Sequence, residues 1–134
     1  MSMRWAALMA IAVLVLGGGA WRYFGAISSD EARPGVIIPT FSSSAERGGD
    51  MFQANCAVCH GVNAVGTNKG PPLVHKIYEP SHHGDQSFLA ATQNGVRQHH
   101  WKFGNMPAVP GVSRESTLQI VAYIRELQRA NGIN

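Results

Sequence analysis

The chain carries the pentapeptide Cys56-Ala57-Val58-Cys59-His60, and its only two cysteines both lie within it. Two cysteines three positions apart, followed at once by histidine, form the attachment pattern for c-type haem. The chemistry requires that spacing. Each thiol adds to one vinyl group, so the sulfurs must straddle one porphyrin edge, and the adjacent imidazole then lies beneath the iron as its fifth ligand. A C-x-x-C pair alone also suits a redox dithiol or half of a zinc site. Zinc would need two further ligands at comparable spacing, and a thioredoxin-like dithiol would sit in a βαβ pattern that this sequence lacks.

Working outward, 134 residues allow one ordinary domain with appendages. The composition is that of a globular chain, 45% hydrophobic and 14% charged. Fifteen glycines and seven prolines suggest short helices joined by irregular segments. A formal charge of +3, spread without any Lys/Arg run, argues against a nucleic-acid partner. Towards the N-terminus, residues 5–21 are uncharged and apolar between Arg4 and Arg22, at the short end of what spans a bilayer. Trp5, Trp21, Tyr23 and Phe24 resemble interfacial aromatic belts. We therefore expect residues 1–24 to be a transmembrane anchor. The rival is a signal peptide cleaved after Ala20, which the length of the run and the bulky Trp21 disfavour. Either reading exports the remainder. Residues 25–44, rich in Ser, Pro, Gly and charge, read as a tether, in which Val36-Ile37-Ile38 is either plain linker or a strap along the domain.

Periodicity begins at residue 45. Ser44 is the expected N-cap of a helix running to about Asn55, with Glu46 and Asp50 near its positive end. Gly48 and Phe52 lie eight and four residues before Cys56, on one helical face, a small residue beside a large one. Ser113 opens a second amphipathic helix through Thr117, Ile120, Val121, Ile124 and Leu127, ending near Arg129 with Gly132 beyond. Ile120 and Tyr123 fall on the turn that would cross Gly48 and Phe52. Between them, 87–96 reads as a helix with Phe88, Leu89 and Thr92 on its apolar side and Gly95 at its exit.

With these features together, residues 45–134 resemble a class I cytochrome c: an all-α fold of short helices around one covalent haem c. Gly48 and Phe52, with Ile120-Val121-Ala122-Tyr123, match that family's terminal-helix contact. Gly70-Pro71-Pro72-Leu73 matches the loop whose proline carbonyl, Pro71 here, receives the proximal histidine N–H, and Met106-Pro107 matches the distal ligand loop. The resemblance thus implies His60 and Met106 on the iron, Cys56 and Cys59 on the porphyrin, and Pro71 and Trp101 as further cofactor contacts, Trp101 towards a propionate. Each has a physical reason. A ligating imidazole donates its other N–H to a carbonyl, which fixes its tautomer. Met1, Met3 and Met9 lie in the anchor region and Met51 precedes the attachment site on its helix, which leaves Met106. Thioether ligation raises the potential relative to two histidines. Trp101 and Phe103 are expected to wall the haem, or to be ordinary core; for Phe103 the core reading is preferred.

Five further histidines, His75, His82-His83 and His99-His100, fall in the stretch expected to wrap the pocket. They suit surface or propionate-bonding roles, a distal ligand in place of Met106, or a second metal site such as copper. Neighbouring histidines on an extended chain point apart, so the metal reading requires the two pairs to meet in the fold. The resemblance implies an electron-transfer protein rather than an enzyme, without a small-molecule substrate, on the periplasmic side of a bacterial cytoplasmic membrane. A cytochrome bc complex or periplasmic dehydrogenase is the expected donor and a terminal oxidase the expected acceptor. Haem- or copper-handling and gas sensing through a labile sixth position are the alternatives. Lys69, Lys76, Arg97 and Lys102 are expected to form a docking face.

Overall fold

The computed structural model describes residues 35–134, and among these it contains four α-helices and no β-strand. The expected anchor, the first ten residues of the expected tether and the charge pattern around them lie outside the described residues. No helix among the described residues is long and apolar enough to cross a membrane.

Helix α1, Ser43–Asn55, starts two residues earlier than the sequence suggests. Ser42, not Ser44, is the N-cap: its hydroxyl accepts from the Ala45 amide at 3.3 Å. The reason is tertiary. Glu126 of the last helix accepts from the Ser42 amide (3.0 Å) and hydroxyl (2.8 Å), which fixes the chain entry there. Before it, the segment 36–41 is a strap. Val36 and Phe41 pack on the core, the Phe41 ring sits 5.1 Å from that of Tyr123, and the Ile37 amide and carbonyl both bond the Asn131 side chain.

Helix α2, Ala57–His60, follows α1 after one residue, so the attachment motif is itself a single helical turn. Two 3₁₀ turns, Val62–Ala64 and Lys76–Tyr78, shape the loop beyond it. Helix α3 is Asp85–Asn94, two residues ahead of the sequence reading, and closes at Gly95. Helix α4, Arg114–Ala130, is capped by the Ser113 hydroxyl on the Ser116 amide.

The core is the crossing of α1 and α4. Ala45, Phe52, Ile120, Tyr123, Ile124 and Leu127 are buried there in one cluster with Ala64 and Leu73. Gly48 makes the close approach possible: a Cβ at that position would stand 1.9 Å from the Gln119 carbonyl oxygen. Phe52 beside it packs on Tyr123 with ring centroids 5.5 Å apart. Small residue and large residue together thus set both the distance and the register of the two helices.

Candidate haem site

A cavity of about 520 Å³ opens between α1, α3, α4 and the two long loops. Its size falls within the roughly 300–1,000 Å³ of ligand and cofactor pockets. Phe52, Leu73, Phe88, Ile120 and Ile124 give it an apolar wall, and His60, Pro71, Trp101 and Met106 also line it. Residues separated by up to 72 positions of sequence, Phe52 and Ile124, are therefore gathered at one surface.

On one side the attachment turn delivers Cys56 and His60. Both cysteines are free thiols and half-buried; Cys56 faces the cavity, whereas Cys59 is not among the lining residues. Burial, and then the charge of Cys59, push the Cys56 thiol up to about 11, so it stays protonated at neutral pH. His60 is buried. Its Nδ1 lies 2.9 Å from the Pro71 carbonyl oxygen. A carbonyl only accepts, so Nδ1 carries the proton and Nε2 keeps its lone pair. Desolvation holds His60 below its ordinary value, against the opposing effect of the Pro71 bond. The neutral imidazole is the form that binds a metal.

Backbone packing fixes this arrangement. Gly66, at φ +81°, returns its amide to the His60 carbonyl at 2.6 Å. A Cβ on Gly66 would strike the Pro72 nitrogen at 2.6 Å. The Leu73 amide donates to Ala64 at 2.8 Å, closing the loop that presents Pro71.

Met106 reaches the cavity from the segment that follows α3. Val96 and Met106 form an isolated antiparallel bridge, with amide-to-carbonyl distances of 2.9 and 3.0 Å. Between them, the Gln98 amide donates to Asn105 Oδ1 (3.0 Å) and the Gly104 amide to Gln98 Oε1 (2.7 Å). Gly95 is required at the root of this loop: its φ is +73°, and a Cβ would meet the Met106 carbonyl at 2.5 Å. Met51, as expected, packs on the core and not on the cavity.

Trp101 supplies the most specific polar feature. Among the described residues its indole Nε1 is the sole buried side-chain nitrogen or oxygen without a hydrogen-bond partner. Burial raises the Tyr78 phenol above its ordinary value and the Trp101 indole offsets this in part, although no aligned hydrogen bond joins them. A buried donor facing a cavity asks for an acceptor from whatever fills it. Phe103, expected in the core, is instead 38% exposed and lines the cavity, because its loop runs along the mouth.

Two buried polar residues escaped the sequence reading. Arg125 and Gln128 lie on the inner face of α4, beside the apolar stripe. Gln128 Nε2 donates to the carbonyls of Leu73 (2.8 Å) and Tyr78 (3.0 Å). Arg125 donates to Asp85, Tyr78, Gln128 and the His83 carbonyl. Loop 73–83 has little regular structure of its own, and these side chains supply its missing partners. The signal was spacing: 125 and 128 follow 121 and 124 by four.

The histidine pairs do meet. His82 Nε2 lies 3.3 Å from His100 Nε2, and the His83 and His99 rings stack at 5.9 Å between centroids. Neighbouring rings desolvate the exposed His100, and repulsion from His99, His83 and His82 adds to this; both lower its pKa.

An apolar pocket, a neutral imidazole held at Nδ1, a methionine on the same lining, the Cys56 thiol and an unpartnered buried N–H form a donor set that fits a haem. The cytochrome c family model matches residues 45–128. No curated protein and no solved structure matches the chain. By that family match, which covers well over half of its length, the chain belongs to the cytochrome c family, whose members hold haem c covalently and are in general electron carriers.

Proposed function

We propose that the chain is a one-electron carrier with His60 and Met106 as the axial ligands of a single haem c. The observation that carries this is the shared cavity: His60, its Nδ1 held by the Pro71 carbonyl, and the bridge-pinned Met106 both line it. When bound, the haem iron supplies a reversible one-electron couple, tuned by axial ligands, hydrogen bonds and burial. Cys56 and Cys59 would hold the group through thioether bonds to its vinyl groups. The Pro71 carbonyl keeps His60 in the tautomer that presents Nε2, and Trp101 offers its N–H towards an anionic propionate. Phe52, Leu73 and Ile124 exclude water. Were His60 and Met106 both to bind the iron, oxygen and peroxide would find no open coordination site.

The proposed setting is the periplasmic face of a bacterial cytoplasmic membrane, with residues 1–24 as anchor and the following segment as tether. Tethering raises the effective concentration at membrane-bound partners, a cytochrome bc complex or dehydrogenase as donor and a terminal oxidase as acceptor. Lys69, Lys76, Arg97 and Lys102 are all exposed. They suit an acidic partner, so electron-transfer rates should fall as ionic strength rises.

The deciding measurement is near-infrared absorption of the oxidised holoprotein. His/Met ligation is expected to give a weak sulfur-to-iron charge-transfer band that Met106→Ala abolishes. A wild-type spectrum without that band would refute the ligand assignment.

A further inference from the structure

We propose that His82, His83 and His100 form a binding site for a divalent transition-metal cation at the mouth of the haem pocket. The three residues each present a ring nitrogen within 4.8 Å of the others'. They come from two loops on either side of α3, the 79–84 turn and the segment leading to Met106.

Distance is the first argument. Bonds of 2.0–2.1 Å from a tetrahedral metal to imidazole nitrogens place those nitrogens about 3.3 Å apart. The His82 and His100 Nε2 atoms stand at 3.3 Å. That separation, between two exposed rings, is the one that a single bound cation would bridge.

Orientation is the second. Metal-binding imidazoles normally donate their other N–H to a carbonyl or carboxylate. His83 Nδ1 lies 2.7 Å from the Ile77 carbonyl oxygen, which only accepts, so Nδ1 is the donor there and Nε2 is the atom offered to a cation. The His83 carbonyl in turn accepts from Arg125, which is buried and paired with Asp85 at 2.8 Å. That pairing offsets the guanidinium charge near an incoming cation. His99 flanks the group in the same manner, Nδ1 on the Arg97 carbonyl at 2.8 Å, with its ring 4.4 Å from that of His100.

The donor set selects the cation. Three imidazoles and no carboxylate or thiolate suit zinc and copper(II), not calcium or magnesium. His82 and His100 are exposed, so a fourth position stays open to water or to a partner's ligand. His83 and His100 also line the haem cavity. An occupied site would therefore clamp the 79–84 turn to the 96–106 loop that carries Met106. This reading does not depend on whether Met106 binds iron.

The test is calorimetric titration of the full-length, haem-loaded protein, purified without a polyhistidine tag, with Zn²⁺ and separately Cu²⁺. Saturable one-to-one binding is expected, with a raised melting temperature. His82→Ala and His100→Ala, at exposed rings that leave the core untouched, should each weaken binding at least tenfold, roughly the cost of disturbing a metal's ligand shell. His75→Asn keeps an acceptor for the Ile77 amide and should bind as wild type does. Cu²⁺ bound to wild type should show nitrogen hyperfine coupling by electron paramagnetic resonance. Absence of saturable binding, or Ala variants that bind like wild type, would overturn the site.

Discussion

Replacing Gly48 with alanine puts a methyl group into the backbone of α4. The new Cβ would lie 1.9 Å from the Gln119 carbonyl oxygen, 2.3 Å from its carbon and 2.9 Å from the Ile120 nitrogen, where real Cβ contacts keep beyond 3.0 Å. No rotamer relieves a clash with helical backbone, so α1 and α4 must part by about 1 Å. A gap of 0.5–1 Å forfeits roughly a quarter to a half of a contact's dispersion energy. Phe52, Ile120, Tyr123 and Ile124 straddle this crossing, each contributing about 1.5–3 kcal/mol by burial. Losing a quarter of that costs about 1.5–3 kcal/mol, and the better helix propensity of alanine returns about 1 kcal/mol. The expected net destabilisation is about 0.5–2 kcal/mol, roughly a 0.5–1 M fall in urea midpoint for the holoprotein at unchanged slope. Gly49→Ala is the matched control. Its Cβ would meet only the Tyr123 ring, at 3.2 Å, so a change within about 1 kcal/mol is expected. A Gly48→Ala midpoint equal to or above wild type would refute the helix contact.

Gln128→Leu should destabilise by about 2 kcal/mol in the same assay, because the buried Leu73 carbonyl loses its side-chain donor and Arg125 loses an acceptor; a neutral result would mean that the 73–78 loop relaxes to find other partners. Trp101→Phe keeps the wall but removes the unpartnered N–H, so the midpoint potential should fall as an anionic propionate loses a donor; an unchanged potential in direct electrochemistry would show that this donor faces elsewhere. Stability should also decline as pH rises through 10.0, the ordinary tyrosine value. Burial holds the Tyr78 and Tyr123 phenols higher, against the opposing effects of Trp101 and Gln53 respectively. The folded state therefore keeps protons that the unfolded chain has released. Tyr123→Phe should make that decline shallower, and an identical slope in denaturant titrations at alkaline pH would count against it.

The attachment turn, α1 and α4 were legible because each is written in local spacing. Cys-x-x-Cys-His is contiguous, and Gly48 with Phe52 reads as a face before any partner is known. Helix starts slipped by two residues where tertiary bonds chose the cap: Glu126, eighty-four residues away, selects Ser42 over Ser44. Phe103 misled because an aromatic next to Trp101 and a ligand loop looks like core, whereas the loop carries it past the cavity mouth to 38% exposure. The histidine pairs posed a condition that no local pattern answers. Their approach depends on α3 turning the chain back within ten residues, so that 82 and 100 meet.

Arg125 and Gln128 show why one helix governs more of the site than its apolar stripe suggests. Polar residues at stripe positions read as solvent-facing, since burying a guanidinium without partners is prohibitive. Here the partners are carbonyls of a loop that cannot satisfy itself: those of Leu73 and Tyr78 through Gln128, and those of Tyr78 and His83 through Arg125. Leu73 follows the Pro71-Pro72 step that presents the acceptor for His60, and His83 belongs to the proposed cation site. The face of α4 that packs on Gly48 therefore fixes the depth of the helix, while its next turns fix the loop that orients His60 and His83. A lesion at Gly48 should lower stability while leaving local loop bonding intact. A lesion at Gln128 should act on the His60 and His83 loop before it acts on the helix crossing. Cation affinity should therefore fall in Gln128→Leu under conditions where Gly48→Ala, still folded, retains it.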